Sequence, residues 1–226
     1  VSLRRFPAPA LGAAGDRVVL DTATSHHLLR VTRVARGAAV ELFDGQKVAA
    51  ARLVDVVDDC AVCVLTEAPR RDDHLKERIV VLALLKGPAM EHALRMATEL
   101  GATEIWPVRT DRTVPKGDKA ERWQRVVVGA ARQCGRSGPP QLRALRPLAQ
   151  ALDALPEGIT AVVGAPGSGR ASPVSGGAAL LVGPEGGWSP PELALFAEHG
   201  LQAVGLGRFV LRADTAVAAG LALLGT

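Results

Sequence analysis

Up to about residue 74 the chain alternates apolar and polar positions over short stretches. Four segments follow that pattern or run apolar for a few residues: Asp16–Leu20, Ala39–Phe43, Val48–Val54 and Cys60–Leu65. A period of two is the mark of a strand that buries one face. Asp44-Gly45 lies between the second and third, and reads as a tight hairpin turn because Gly takes the positive φ such a turn requires. These signals predict a small β-rich domain of barrel type, interrupted by a helix-like insert over Ser25–Val31. The stretch Pro69-Arg70-Arg71-Asp72-Asp73-His74 is charged and free of large apolar residues, and marks a boundary. Domains of 1–74 and 75–226 are expected.

Beyond the boundary the period lengthens. Ile79–Leu85 is a buried strand by composition, and Pro88–Leu100 reads as a helix stopped by Gly101. Ile105–Val108 is a second strand, and Lys119–Cys134 a basic amphipathic helix. Thr160–Val163, Ala179–Val182 and Gln202–Gly205 supply three more strands, with helices at Pro190–His199 and about Thr215–Leu224. Strands alternating with helices imply a parallel sheet, whose ligand sites lie at the carboxyl ends of its strands.

Composition narrows the class. Of 226 residues, 48% are hydrophobic and 22% charged, which excludes disordered and fibrous chains. No apolar run approaches the roughly 18 residues of a membrane span. The N-terminal stretch has no signal-type apolar segment and the three cysteines are an odd number, so a cytoplasmic protein without membrane association is expected. The net charge of +4 is unevenly spread. Residues 1–36 hold six Arg against two Asp, and residues 75–150 fourteen basic against seven acidic, whereas 151–226 hold three against six. Basic blocks suit a polyanion such as nucleic acid, or are solvated faces of an Arg-rich chain. On the first reading Arg4, Arg5, Arg30, Arg33 and Arg36 form one continuous RNA-binding face with Arg109, Arg112, Arg132 and Arg136.

Several chemistries lack their motif. There is no G-x-x-x-x-G-K-[ST] loop, and Gly135–Pro139 misses the G-x-S-x-G elbow by one position. Cys60-Ala61-Val62-Cys63 has half-site zinc spacing but no second pair at ligand distance, so no metal is expected. The informative segment is Leu180–Glu192, in which a buried strand runs into Gly183-Pro184-Glu185-Gly186-Gly187 and then a helix. Ser189 with Glu192 forms a capping box, and Pro190 takes the first helical position. Such a loop brings bare backbone close to a ligand. Its low positive charge suits a nucleoside better than a triphosphate. Gly205-Leu206-Gly207 through Thr215 repeats the strand–loop–helix order, with Asp214 or Thr215 as cap, and Gly164-Ala165-Pro166-Gly167 follows a third strand.

These loops, with Val210-Leu211-Arg212-x-Asp214-Thr215-Ala216, resemble the bacterial small-subunit (16S) rRNA uridine-N3 methyltransferases of the SPOUT superfamily. The resemblance extends to Arg4-Arg5-Phe6, His27-Leu28, Leu42-Phe43-Asp44-Gly45, Lys86-Gly87, Ala97–Gly101 and Gln133-Cys134-Gly135-Arg136, in family order over nearly the whole chain. It implies an α/β fold: a PUA-like β-barrel, then a SPOUT methyltransferase domain with a C-terminal trefoil knot. It also implies S-adenosylmethionine as cofactor, 16S rRNA within the small ribosomal subunit as partner, and a homodimer. Residues that match the cofactor loops are Gly164, Ala165, Val182, Gly183, Pro184, Glu185, Gly186, Gly187, Leu206, Gly207, Val210, Leu211, Arg212 and Thr215. The chain departs from the family at Met96 for Lys, Arg132 for Glu, Phe209 for Arg and Ala213-Asp214 for Thr-Glu. Arg212 and Arg5 are candidates to stabilise an anionic uracil. Asp214 either accepts the proton or caps its helix, and Glu185 either faces the sulfonium or braces the loop. Two alternatives stand beside this reading: methylation at another RNA position, and a non-enzymatic RNA-binding protein.

Overall fold

The computed structural model describes residues 3–45, 47–71, 76–113, 119–170 and 172–225. The Asp72–His74 part of the expected boundary lies outside these. The chain divides into two compact units, Val1–His74 with Ala131–Pro139, and Leu75–Ala130 with Pro140–Thr226. The segment Ala131–Pro139, which periodicity assigns to the second domain, thus belongs with the first unit.

The first unit holds β1 (Arg5–Pro7), β2 (Arg17–Val19), α1 (Thr22–His26), β3 (Ala39–Phe43), β4 (Lys47–Val57), β5 (Cys60–Leu65) and β6 (Arg70–Arg71). Its sheet runs β1-β3-β4-β5-β2, with β6 against β4. Asp44 accepts from the Lys47 amide at 2.8 Å and Gly45 sits at φ +94°, so the expected turn joins β3 to β4. Val40 and Leu42 are buried while Glu41 between them faces outward, the alternation of a one-sided sheet. Asp21 caps α1 by accepting from the Thr24 amide at 2.8 Å, and a wider π-type turn over His27–Val31 completes the insert. Strand β1 escapes the sequence pattern because it has three residues and ends in Pro7. Among the described residues β1 and β2 end the strand order and no pairing joins them.

The second unit contains β7 (Arg78–Ala83), α2 (Ala89–Glu99), β8 (Glu104–Arg109), most of α3 (Ala120–Cys134), β9 (Gln141–Leu142), β10 (Arg146–Pro147), α4 (Leu148–Asp153), β11 (Thr160–Gly164), β12 (Ala178–Val182), α5 (Pro190–Glu198), β13 (Gln202–Val204) and α6 (Ala213–Leu224). The sheet is parallel throughout, in the order β10-β8-β7-β12-β11-β13, with β9 also on β8. Its central strands are buried on both faces. Val80, Leu82 and Leu180 pack with Leu94, Val127 and Leu221 on one side, and Ile79, Val81 and Leu181 with Leu152 and Phe196 on the other. The expected strands and helices are present. The additions β9, β10 and α4 are two to six residues long, too short for a period to register.

Two charged residues are buried among the described residues, Glu192 and Arg78. Arg78 is 1% exposed and donates to the carbonyls of Glu77, Val174, Gly176, Leu224 and Gly225, the Gly176 bond at 2.7 Å. It thereby ties the start of β7 to the end of α6. Burial pulls its guanidinium down from the ordinary arginine value.

Candidate functional site

At the carboxyl ends of β11, β12 and β13 three loops enclose a cavity of ≈ 660 Å³, within the usual size range of small-molecule sites. The loop after β12 carries Gly183–Gly187 and leads into α5. There Ser189 accepts from the Glu192 amide and the Glu192 carboxylate accepts from the Ser189 amide at 2.7 Å, completing the predicted capping box. Glu192 also accepts from the Asp111 amide at 2.9 Å, and the Ser189 hydroxyl donates to the Asp111 carboxylate. Arg112 donates to the Gly186 carbonyl at 2.7 Å. The turn after β8 therefore braces the glycine loop from outside, a coupling that no local pattern announces.

Bare backbone is needed at this end. A Cβ on Gly183 would lie 2.9 Å from the Trp188 ring, which is held edge-on against Phe196 at 4.8 Å. A Cβ on Gly205 would lie 2.5 Å from the Ser168 carbonyl oxygen.

Every residue expected at the cofactor lines this cavity except Gly186 and Thr215. Gly186 turns outward, where a Cβ would meet Arg112 at 3.3 Å, and Thr215 is exposed on the first turn of α6. Ala89, Pro166, Leu181, Trp188, Leu193, Phe209, Ala213 and Ala216 also line it. They are ordinary apolar residues in sequence, so only proximity picks them out.

The charged lining is Glu185, Asp214 and Arg212. Glu185 accepts from the Lys86 amide at 3.2 Å, the bracing role. Asp214 pairs with Arg212 at 3.6 Å and faces His92 at 3.7 Å. It does not cap α6: the helix starts at Ala213 with Arg212 as the extended N-cap residue and no side-chain cap bond, so neither Asp214 nor Thr215 serves. Apolar walls, exposed backbone groups and two carboxylates suit a nucleoside that carries a cation, and would repel a polyphosphate.

Other predicted residues fall elsewhere. Arg5 binds Glu41 at 2.8 Å and lies over the Phe43 ring, so its charge is matched within its own unit. Arg4 donates to the Thr32 carbonyl, and Arg36 approaches Asp55 at 3.8 Å. Arg30, Arg33 and Arg132 are exposed, and Arg136 is half-buried. Arg132 and Arg136 belong to the first unit with the N-terminal arginines. Arg132 helps to hold the Asp21 carboxyl below its usual range, after the Thr24 amide bond that does most of it. Arg109 is exposed in the second unit, like Arg112. Cys60 and Cys63 stand three apart on β5 and so face opposite sides, and burial pushes the Cys63 thiol up to about 11. Among the described residues no helix is long and apolar enough to cross a membrane.

A family profile described as an RNA methyltransferase domain matches residues 73–225. The chain is similar to the ribosomal RNA small subunit methyltransferase E of Synechocystis sp., with 35% identity over 217 residues, 91% of this chain and 71% of that one. It is similar to the Mycobacterium bovis protein of the same name, with 30% identity over 249 residues and coverage of 97% and 90%. Among solved structures it is similar to the ribosomal RNA small subunit methyltransferase E from Neisseria gonorrhoeae bound to S-adenosyl methionine. There the identity is 31%, the TM-score 0.77, and the coverage 98% of this chain and 96% of that one.

Proposed function

The chain belongs to the RNA methyltransferase family, and on that footing we propose that it transfers a methyl group from S-adenosylmethionine to N3 of a specific uridine in small-subunit (16S) rRNA. The observation that carries the reading is the cavity at the carboxyl ends of β11, β12 and β13, where the predicted glycine loops converge. S-adenosylmethionine, when bound, supplies an electrophilic methyl group on a sulfonium. Glu185, besides bracing its loop, and Asp214 would offset that positive charge, and the Gly183 and Gly207 backbones line the space the nucleoside would take.

N3 of uracil is an imide nitrogen that must lose its proton as it attacks. Arg212 is 75% exposed beside the cavity and stabilises the uracil anion through its carbonyl oxygens. Asp214, linked to Arg212 and His92, fixes the guanidinium and in this reading takes the proton. Holding base and methyl group in line contributes several kcal/mol of the barrier reduction.

In this reading the first unit closes as a PUA-like barrel that binds RNA through Arg30, Arg33, Arg132 and Arg136. The cofactor loops form a trefoil knot, and the enzyme works as a cytoplasmic homodimer. The apolar character of α6 does not by itself argue for the dimer, because Val217, Leu221 and Leu224 are buried within the unit. Light scattering measures the mass directly.

The test of function is nucleoside mass analysis of 16S rRNA, free or in small subunits, after incubation with the protein and S-adenosylmethionine. N3-methyluridine is the expected product. A methylated ribose or another base overturns the assignment. Arg212→Ala lowers turnover by about 100-fold or more, the usual loss for one charge-stabilising donor.

A further inference from the structure

Phe209 is an unusual surface group. Its side chain is 74% exposed and Val210 beside it 80%, yet both line the cavity, together with Leu193 at 51%. Single exposed apolar residues are ordinary, but three around one opening form a patch that calls for a ligand. The patch is not neutral. The Arg208 guanidinium lies 5.6 Å from the Phe209 ring centroid, and Arg212 also lines the cavity. An apolar protein surface, a second copy of this chain included, would cover the ring but would desolvate Arg208, whose guanidinium is seen among the described residues against the Phe209 ring and no carboxylate. A nucleic acid satisfies both requirements: a base stacks on the aromatic face and the backbone supplies negative charge.

The geometry points to Phe209 as the stacking platform for the acceptor base at the cavity mouth, with Arg208 meeting the adjoining phosphate. This rests on the RNA methylation proposed above and adds a residue that holds the substrate at the mouth of the cofactor cavity. The acceptor must reach the mouth for transfer to occur. A ring already in place there provides a stacking surface worth about 1–3 kcal/mol per base. Stacking tolerates any base, so selection for uracil stays with the groups that meet its edge, Arg212 among them.

Phe209→Leu keeps apolar area and removes the aromatic face, whereas Phe209→Trp keeps the face. Methyl transfer to 16S rRNA, S-adenosylmethionine affinity by calorimetry and mass by light scattering are measured for wild type and both variants. Phe209→Leu is expected to raise KM for RNA by about 5- to 150-fold, a larger change than in its cofactor affinity, with mass unchanged. Phe209→Trp stays within about threefold of wild type, because it preserves the π-face. An unchanged KM in Phe209→Leu, a Phe209→Trp loss as large as that of Leu, or an altered mass in Phe209→Leu overturns the proposal while leaving the enzyme's function intact. A wild-type protein that transfers no methyl group to 16S rRNA overturns the parent reading and this one with it.

Discussion

Helix α6 joins two opposite ends of the parallel sheet, and they are built on opposite principles. At the carboxyl end, where α6 begins, three loops keep side chains away and leave an open cavity. At the amino end, where α6 finishes, one long side chain fills the space: Arg78 directs its guanidinium donors at the carbonyls of five residues. The cavity depends on what is missing, so adding an atom there damages it. The amino end depends on what is present, so removing a group there damages it. The cations also differ in setting. Arg212 stands in water beside a carboxylate, free to meet a substrate, while Arg78 has given its hydrogen bonds to the backbone.

The largest effect is expected where the buried cation is lost. Arg78→Met fills similar volume but leaves the carbonyls of Val174, Gly176 and Gly225 without their donor. Each buried carbonyl left without its donor costs about 1–3 kcal/mol, so the three together cost several. Urea denaturation should show a drop of that order, with the midpoint falling at an unchanged slope. A loss below about 1 kcal/mol would mean that water replaces the guanidinium, and that the amino end is less closed than described. Arg78→Lys should recover only part of the stability, since an ammonium has three donors and cannot match a planar fork.

A smaller effect with a different signature is expected at the cavity. Gly183→Ala places a methyl group 2.9 Å from the Trp188 ring, which cannot retreat because Phe196 holds it. Overpacking of this kind costs about 1–3 kcal/mol. Unlike Arg78→Met, it should weaken S-adenosylmethionine binding by more than its effect on folding accounts for, as calorimetry on the folded fraction can show. Equal affinity for variant and wild type would place the cofactor elsewhere.

The two ends also differ in how far they could be read in advance. The glycine loops stand out in sequence because those after β12 and β13 interrupt a strand–helix passage, and the Ser189/Glu192 box is a local pattern of four residues. Nothing local marks Arg78. In sequence it is one charge in a basic block, and its carbonyl partners at 174–176 and 224–225 lie about a hundred residues or more away. The Asp111–Glu192 and Arg112–Gly186 bonds are hidden for the same reason. Asp214 misleads for a local reason. It is a good cap by residue type, but the backbone is already helical at Ala213, so its carboxylate accepts from the Thr215 amide at 2.9 Å within the first turn and faces Arg212 and His92.

Removing the capping hydroxyl by Ser189→Ala tests the bracing of the cavity end. The variant loses the bond from the Glu192 amide and the bond to Asp111. A lost N-cap costs about 1 kcal/mol, and the weakened link to the β8 turn should make the Gly183–Gly187 amides exchange faster with solvent. If exchange there is unchanged, the brace runs through Glu192 and Arg112 without the hydroxyl.

The smallest expected effect sharpens the contrast by adding pH. Helices α4 and α5 both run back toward the amino end, where His199 joins them: Nδ1 meets the Leu195 carbonyl at 2.9 Å and Nε2 meets Asp153 at 3.1 Å. With an acceptor at each ring nitrogen the doubly protonated form is favoured, so the Leu195 carbonyl first and Asp153 second raise the His199 pKa above its ordinary value. A group with a raised folded-state pKa adds stability that is complete below its unfolded value, near pH 6.5, and is lost as pH rises through the folded value. Wild-type stability should therefore decline across that window relative to His199→Gln, and Asp153→Asn should shrink the difference, because the Leu195 bond remains. The curves of the two proteins are compared, not read singly, since other groups also titrate. Arg78 keeps its proton throughout, so the buried tie is indifferent to pH and only the exposed one responds. Cofactor affinity at the far end of α6, measured in a His92→Gln background because His92 lies 3.7 Å from Asp214, should stay flat over the same window. A cavity that weakened in step with His199 would show that the two ends share one cooperative response and are not separate constructions.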